Sequence, residues 1–481
     1  MPRRHLNLRT AGTALIDREL AAVRERMEIP EGWSPEVLAE VEQAARTPRP
    51  PLHDATALPL FTVDPPDSRD LDQAMHLERR GSGYRVFYAI ADVGAFVRPG
   101  GAIDAEARRR VETLYFPDVR VPLHPPQLSE GAASLLPGQD VPALLWQLDL
   151  DADGVLLCTD LRRALVRSRR KLDYAGVQHA IDSGTADEAL ALLGVIGPLR
   201  EEREQDRGGI SLPIPEQEIE PVDGGYALSY RAPRPADGWN AQISLLTGMA
   251  AAEMMLDGAV GLLRTLSAAP RSAQDRLRRT AAALGVDWPA GLPYPQLIRS
   301  LNPELPAHAA FLNECTGLLR GAGYTAFDGS VPPEPGHAAV AAPYAHCTAP
   351  LRRLADRFAG EVCAALAAGE PVPDWVRAAL PEIPKLMETG DRRAHEVERA
   401  SVDLVEAELL RGREGEVFDG VVVDVDERKQ LTGTVQLRDP AVRARLTDDR
   451  PGALALPLGT HLRVRLTIVE PGSGTVRFAP A

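Results

Sequence analysis

Asp64, Asp70 and Asp72 stand close together in the segment 61–75, Phe-Thr-Val-Asp-Pro-Pro-Asp-Ser-Arg-Asp-Leu-Asp-Gln-Ala-Met. The apolar run 58–63 before them predicts a strand, and Pro65 and Pro66 predict a bend. In extended backbone, residues two apart face the same side, so Asp70 and Asp72 are expected to point together. The bend would bring Asp64 over the same spot. Three such carboxylates repel one another unless a cation sits between them. Mg²⁺ takes hard oxygen ligands of this kind and shares them with a substrate phosphate. The chemistry suggested is a metal site for phosphate hydrolysis. The plainer reading is ordinary turn chemistry on a solvated loop. The spacing argues against a calcium hand: counting from Asp70, its sixth and twelfth positions hold Met75 and Gly81 instead of Gly and Glu.

Arg352 and Arg353 form a second candidate group. Pro350 suits a first helical turn, so a helix is expected to start there. Two arginines in a first turn oppose the helix dipole. They make sense if an anion binds, either a phosphate or a carboxylate. The structural alternative is a salt bridge to an aspartate of the 64–72 loop or to Glu361. A third feature is the run 162–171, with six basic residues and no acid. It suits either a basic channel or a solvated strand edge.

These residues need elements to hold them. The 481 residues suffice for two or three domains. Hydrophobic residues at 44% and charged residues at 25% fit a globular chain, and 42 prolines with 40 glycines imply many turns. Apolar spacing predicts two helices within residues 1–54, the second capped by Ser34 and Pro35. Residues 55–412 read as mixed α and β. Strands are expected at 86–91 and 143–148, and helices at 187–193, 198–206, 241–263, 351–366 and 383–410. From 413 to 481 short strands separated by turns predict a small β-barrel.

Charge and cysteine usage bound the function. A net charge of −14 argues against a surface coated for nucleic acid, though a locally basic channel remains open. Four cysteines without a CxxC pair, and ten histidines without HExxH spacing, argue against a zinc site or disulfide scaffold. A reducing cytoplasm is the natural home. The N-terminus carries no signal-peptide pattern, and no apolar run approaches a membrane span.

The Asp-rich segment resembles the signature that opens the catalytic domain of the ribonuclease II family, which includes ribonuclease R. Further matches follow in order: Ala89-Ile90-Ala91-Asp92-Val93, Thr113-Leu114-Tyr115-Phe116-Pro117-Asp118, Leu128-Ser129-Glu130-Gly131 with Ser134-Leu135, Lys171-Leu172-Asp173-Tyr174, Thr348-Ala349-Pro350-Leu351-Arg352-Arg353, and Glu398-Arg399. The resemblance spans about residues 55–412. It implies an α+β ribonuclease II-type catalytic domain at 55–412 and an OB-type RNA-binding β-barrel at 413–481, while the helical spacing before them predicts a small N-terminal helical module of helix-turn-helix kind at 1–54.

The function implied is processive 3′-to-5′ hydrolysis of single-stranded RNA, including RNA with structured regions, to nucleoside 5′-monophosphates. The implied site is Asp64, Asp70 and Asp72 on Mg²⁺, with Asp72 and Arg352 catalytic. Arg352 matches the arginine on the scissile phosphate. Tyr115 and Tyr174 match tyrosines lining the RNA channel, where bases stack on aromatic rings. Glu398 matches a glutamate near the terminal nucleotide. The structural alternatives are core packing for the tyrosines and a solvated helix charge for Glu398.

Three departures stand out. Gln73 replaces a fourth aspartate, Gln242 a glutamate, and Leu212 an aromatic that clamps terminal bases in some members. Two other readings stay open: a catalytically weak RNA-binding member, because Gln73 removes a ligand charge, or a metal phosphohydrolase of a small substrate, which the net acidity would suit. A monomer without membrane attachment is expected. The family commonly carries two cold-shock barrels before the catalytic domain. Residues 1–54 are too few for them, so a more open RNA entrance is expected.

Overall fold

A computed structural model describes residues 14–49, 51, 53–212, 216–222, 225–231, 233–303, 305–319, 321–426, 429–437, 440, 442–451 and 453–481. At its centre is a sheet that closes on itself. Strand Leu60–Val63 runs antiparallel to Gln73–Arg80 and parallel to the long strand Leu156–Leu172. Gln73–Arg80 pairs with Gly83–Ala91, and that strand with Asp140–Leu150. Asp140–Leu150 then pairs along its length with Leu156–Leu172, which closes the ring.

Both faces of these strands are covered, which explains their near-continuous apolar runs. Tyr88, Ile90, Trp146 and Leu148 join one core with Ile243 and Leu246 of helix Pro235–Asp257 and Phe358 and Val362 of helix Leu354–Ala367. The alternate residues Ala89, Ala91, Ala143 and Leu145 join a second core with Val37, Val41 and Ile103. The period of two sorts large residues to one face and mainly alanines to the other.

The C-terminal segment forms a closed five-stranded barrel in the order Val417–Val425, Thr432–Leu437, Arg443–Thr447, Thr475–Pro480, His461–Glu470. This is the expected OB-type element. The mixed α and β architecture is likewise as expected.

Three element boundaries differ from the sequence reading. The expected helix at 241–263 ends at Asp257, and Val260–Thr265 is a strand paired with Gly323–Asp328. The two helices expected at 187–206 are one, Glu188–Asp206, with Pro198 inside. The helix expected from Pro350 begins at Leu354. Residues 350–353 form a turn instead: the Arg352 and Arg353 N–H groups both donate to the Ala349 carbonyl, and Arg353 is extended, bridging to Glu112. The N-terminal helices divide their buried residues. Leu20 and Val23 of Ala14–Arg26 join the core of the barrel and helix Ile383–Leu409, whereas Val37 and Val41 of Pro35–Arg46 join the central sheet.

Candidate active site

The loop from Asp64 to Asp72 links two neighbouring strands of the central sheet. Its ends are fixed by backbone pairing: Asp64 N–H donates to the Leu172 carbonyl, and the Asp72 carbonyl accepts from Ala91. Lys171 ties down the middle, donating from Nζ to the carbonyls of Pro66 at 2.6 Å and Ser68 at 2.5 Å. Ser134 completes the brace, with its hydroxyl between the Arg69 carbonyl (2.6 Å) and the Leu71 N–H (2.9 Å).

The loop and the 350–353 turn meet at Asp72. This carboxylate is 4% exposed. It accepts from the Leu351 N–H at 2.8 Å and from Arg352 Nε at 3.0 Å. Burial raises the Asp72 pKa well above the ordinary carboxylate range, against the pull of Arg352. Burial opposes the Arg352 charge too, but the Asp72 carboxylate outweighs it and holds the guanidinium above its usual value. The Asp72 end of the pair is buried, whereas the Arg352 side chain remains 33% exposed. Arg353 turns elsewhere and makes a forked pair with Asp356, which also accepts the Ala349 N–H. The dipole argument for the two arginines thus does not apply, because both precede the helix. The salt bridge to the Asp64–Asp72 loop, weighed as the structural alternative, is present.

Asp64 is half-buried. Burial pushes its pKa up to about 6; Arg352 pulls it down, and the neighbouring Asp70 pushes it up. Asp70 accepts from Arg120, which faces Tyr115 across a short two-stranded pairing. Tyr115 lies within electrostatic reach of both Arg120 and Arg352. Tyr174 sits beside Asp64 and Arg352, accepts from Asn240 Nδ2 at 3.3 Å, and has its pKa raised by burial to about 12. The structure therefore brings Asp64, Asp70, Asp72, Arg352, Tyr115 and Tyr174 into one place.

Glu398 lies on the neighbouring helix Ile383–Leu409. Val397 before it packs in one core with Leu114 and Phe116, which flank Tyr115. Gln242 points elsewhere: it is buried and donates to Glu204 of helix Glu188–Asp206. Leu212 packs against the apolar cluster of Ile210, Leu277 and Phe311.

Sequence reasoning passed over Arg120, Asn240 and the clamping role of Lys171. Asn240 carried a signal, since it shares a helix face with Ser244, which contacts Tyr88. Arg120 carried none, because only strand pairing sets it opposite Tyr115. The basic run 162–171 does not form a free channel wall. Arg162, Arg163, Arg167 and Arg170 pair with Asp160, Asp92, Asp140 and Asp187, and Arg169 donates to the Thr56 carbonyl.

The donor set suits a hard divalent cation. It consists of carboxylate oxygens whose charged forms are penalised by burial and, through Asp70, by one another. As the side chains lie, the mutual repulsion is met by Arg120 and Arg352, and no group of three or more His, Cys, Asp or Glu among the described residues is arranged to hold a metal ion.

The chain belongs to the RNB-domain family: residues 52–363 match the RNB domain, and residues 416–481 match the RNase II-type exonuclease C-terminal S1 domain. It is 27% identical over 419 residues to Ribonuclease R of Escherichia coli (strain K12), covering 80% of this chain and 50% of that protein. The chain thus spans about half the length of the curated relatives it matches. Its fold is that of Mycoplasma genitalium RNase R, solved in complex with ribose methylated single-stranded RNA. The TM-score is 0.85 at 18% identity, covering 97% of this chain and 78% of that one. It is also similar to yeast Ssd1, a pseudonuclease, with a TM-score of 0.71 at 15% identity over 94% of this chain and 58% of that one.

Proposed function

We propose that this chain is a 3′-to-5′ exoribonuclease that hydrolyses single-stranded RNA processively to nucleoside 5′-monophosphates. The observation that carries the reading is the Asp72–Arg352 pair, set in a buried site beside Asp64 and Asp70 and flanked by Tyr115 and Tyr174. A guanidinium already fixed in place by the Asp72 carboxylate can stabilise charge that develops on phosphate oxygens. Arg352 takes that role. Tyr115 and Tyr174 offer ring faces to the last nucleotides, in the manner of sequence-independent binding of single strands. Asn240 orients the Tyr174 hydroxyl, while Lys171 and Arg120 hold the loop and Asp70 in place. Glu398 is assigned to the terminal nucleotide.

Asp64, Asp70 and Asp72 are the residues that would hold Mg²⁺, which when bound supplies polarisation of the phosphate and a lowered pKa for the attacking water. We assign residues 1–54 as a helical module, 55–412 as the catalytic domain and 413–481 as the RNA-binding barrel of a cytoplasmic monomer acting in RNA decay. Among the described residues no helix is long and apolar enough to cross a membrane.

A second reading, an RNA-binding member with weak catalysis, is favoured by one observation: Gln73 brings no charge where the family signature has an aspartate. Digestion of 5′-labelled single-stranded RNA with and without Mg²⁺, with products resolved by size, separates the two. The exonuclease reading expects a Mg²⁺-dependent ladder shortening from the 3′ end. Salt-sensitive binding without shortening would leave the weak member. No RNA binding at all would point to a small phosphorylated substrate.

A further inference from the structure

Gln73 follows Asp72 directly and opens the strand Gln73–Arg80. Both ends of its amide are engaged. Its Oε1 accepts from the Tyr88 hydroxyl at 2.7 Å, and its Nε2 donates to the carbonyl of Thr348. Tyr88 is fully buried and Thr348 is 5% exposed, so water is a poor substitute partner for either. Ser244 closes the group, with its hydroxyl 3.0 Å from that of Tyr88 and 3.4 Å from Thr348 Oγ1. Consecutive residues thus reach the same turn: Asp72 holds Leu351 and Arg352, and Gln73 holds Thr348.

We propose that Gln73 is a positioning residue, whose amide staples the 348–352 turn to the central sheet and so holds Arg352 against Asp72. The inference rests on the function proposed above, in which that pair acts on the phosphate. The chemistry of position 73 supports it. The position needs an acceptor for Tyr88 and a donor for the Thr348 carbonyl on one side chain. An ionised carboxylate offers acceptors only and would set oxygen against oxygen at Thr348. Aspartate is also one methylene shorter and could not span both partners. An amide of glutamine length meets both needs. Gln73 is therefore fitted to its neighbours, and the charge it lacks relative to the family signature accompanies a different task.

The test uses the full chain with Gln73→Glu, which keeps the length but loses the donor, and Gln73→Asp. Turnover and KM are measured on 5′-labelled single-stranded RNA with Mg²⁺, and amide hydrogen exchange is followed in peptides covering 348–352. Both variants should lose about 10- to 100-fold in kcat with KM little changed, because the loss is in placement of Arg352 rather than in RNA binding. Exchange in 348–352 should rise about tenfold, as expected when a buried carbonyl loses its donor. Should either carboxylate variant unfold, Gln73→Met, uncharged and of similar length, carries the same measurements. Unchanged exchange in 348–352 overturns the proposal. So does a Gln73→Asp chain with faster turnover and a larger Mg²⁺-induced shift in melting temperature than wild type, which would mark position 73 as a ligand position. If wild type fails to cleave RNA, the functional reading falls, while the exchange measurement still decides whether Gln73 staples the turn.

Discussion

Asp72 and Arg352 lie far apart in the chain and define the site between them. Replacing Asp72 with Asn preserves shape, and Asn Oδ1 can still accept from Leu351. The other end would set an amide donor against Arg352 Nε. Asp72→Asn should therefore abolish cleavage while RNA still binds and the chain still melts cooperatively. Degradation at close to the wild-type rate would remove Asp72 from the catalytic assignment. Arg352→Ala should lower turnover by about 100- to 1000-fold, the usual effect of losing one stabiliser of transition-state charge, with a much smaller change in RNA affinity. Equal losses in both would instead make Arg352 a phosphate anchor or a purely structural partner of Asp72.

The elements that carry these residues are fitted by close packing at a few points. Helix Glu188–Asp206 approaches helix Pro235–Asp257 at Gly197, where an added Cβ would lie 2.3 Å from Trp239 Cγ. In an isolated helix Gly→Ala is favourable by about 1 kcal/mol. Here the ring and its Cβ are the obstacle, not a flexible side-chain end, so packing should reverse the sign. Gly197→Ala is expected to destabilise the chain by about 1–3 kcal/mol. Chemical denaturation checks it, and an unchanged or higher midpoint would show that the two helices can part without cost. Because Asn240 and Ser244 ride on the second helix, the same variant should also weaken turnover.

Across the whole molecule, the first and last segments fold together. Leu20, fully buried, shares a core with Val405 of the long helix and with Phe418 and Phe478 of the barrel. Leu20→Ala should cost about 2–5 kcal/mol, as for other buried leucines truncated to alanine. The loss should appear as easier proteolysis within the C-terminal barrel as well as near the substitution. Protection of the barrel equal to wild type would mean that the N-terminal helix is only loosely attached.

By itself the sequence determined the local patterns. Continuous apolar runs marked the central strands, short strands between turns marked the barrel, helical spacing marked the N-terminal helices, and the Asp-rich segment with the Thr348–Arg353 motif picked out both halves of the site. These are properties of neighbouring residues, so a linear reading can see them. Tertiary structure decided what those residues face. Pro350 looked like a helix start, but the Asp356 carboxylate and the pairing of Arg353 with Glu112 made a turn there. Val260–Thr265 is apolar enough for either state and became a strand because Gly323–Asp328 lies beside it. The basic run 162–171 suggested a channel, yet Arg163 and Arg167 are paired with Asp92 and Asp140 from other strands and loops of the fold. Gln73 reads in the sequence as a position without the signature's charge, and only the fold adds that Tyr88 and Thr348 close on its amide. Burial, charge pairing and hydrogen-bond satisfaction act between residues far apart in the sequence, and the folded chain alone sets those distances.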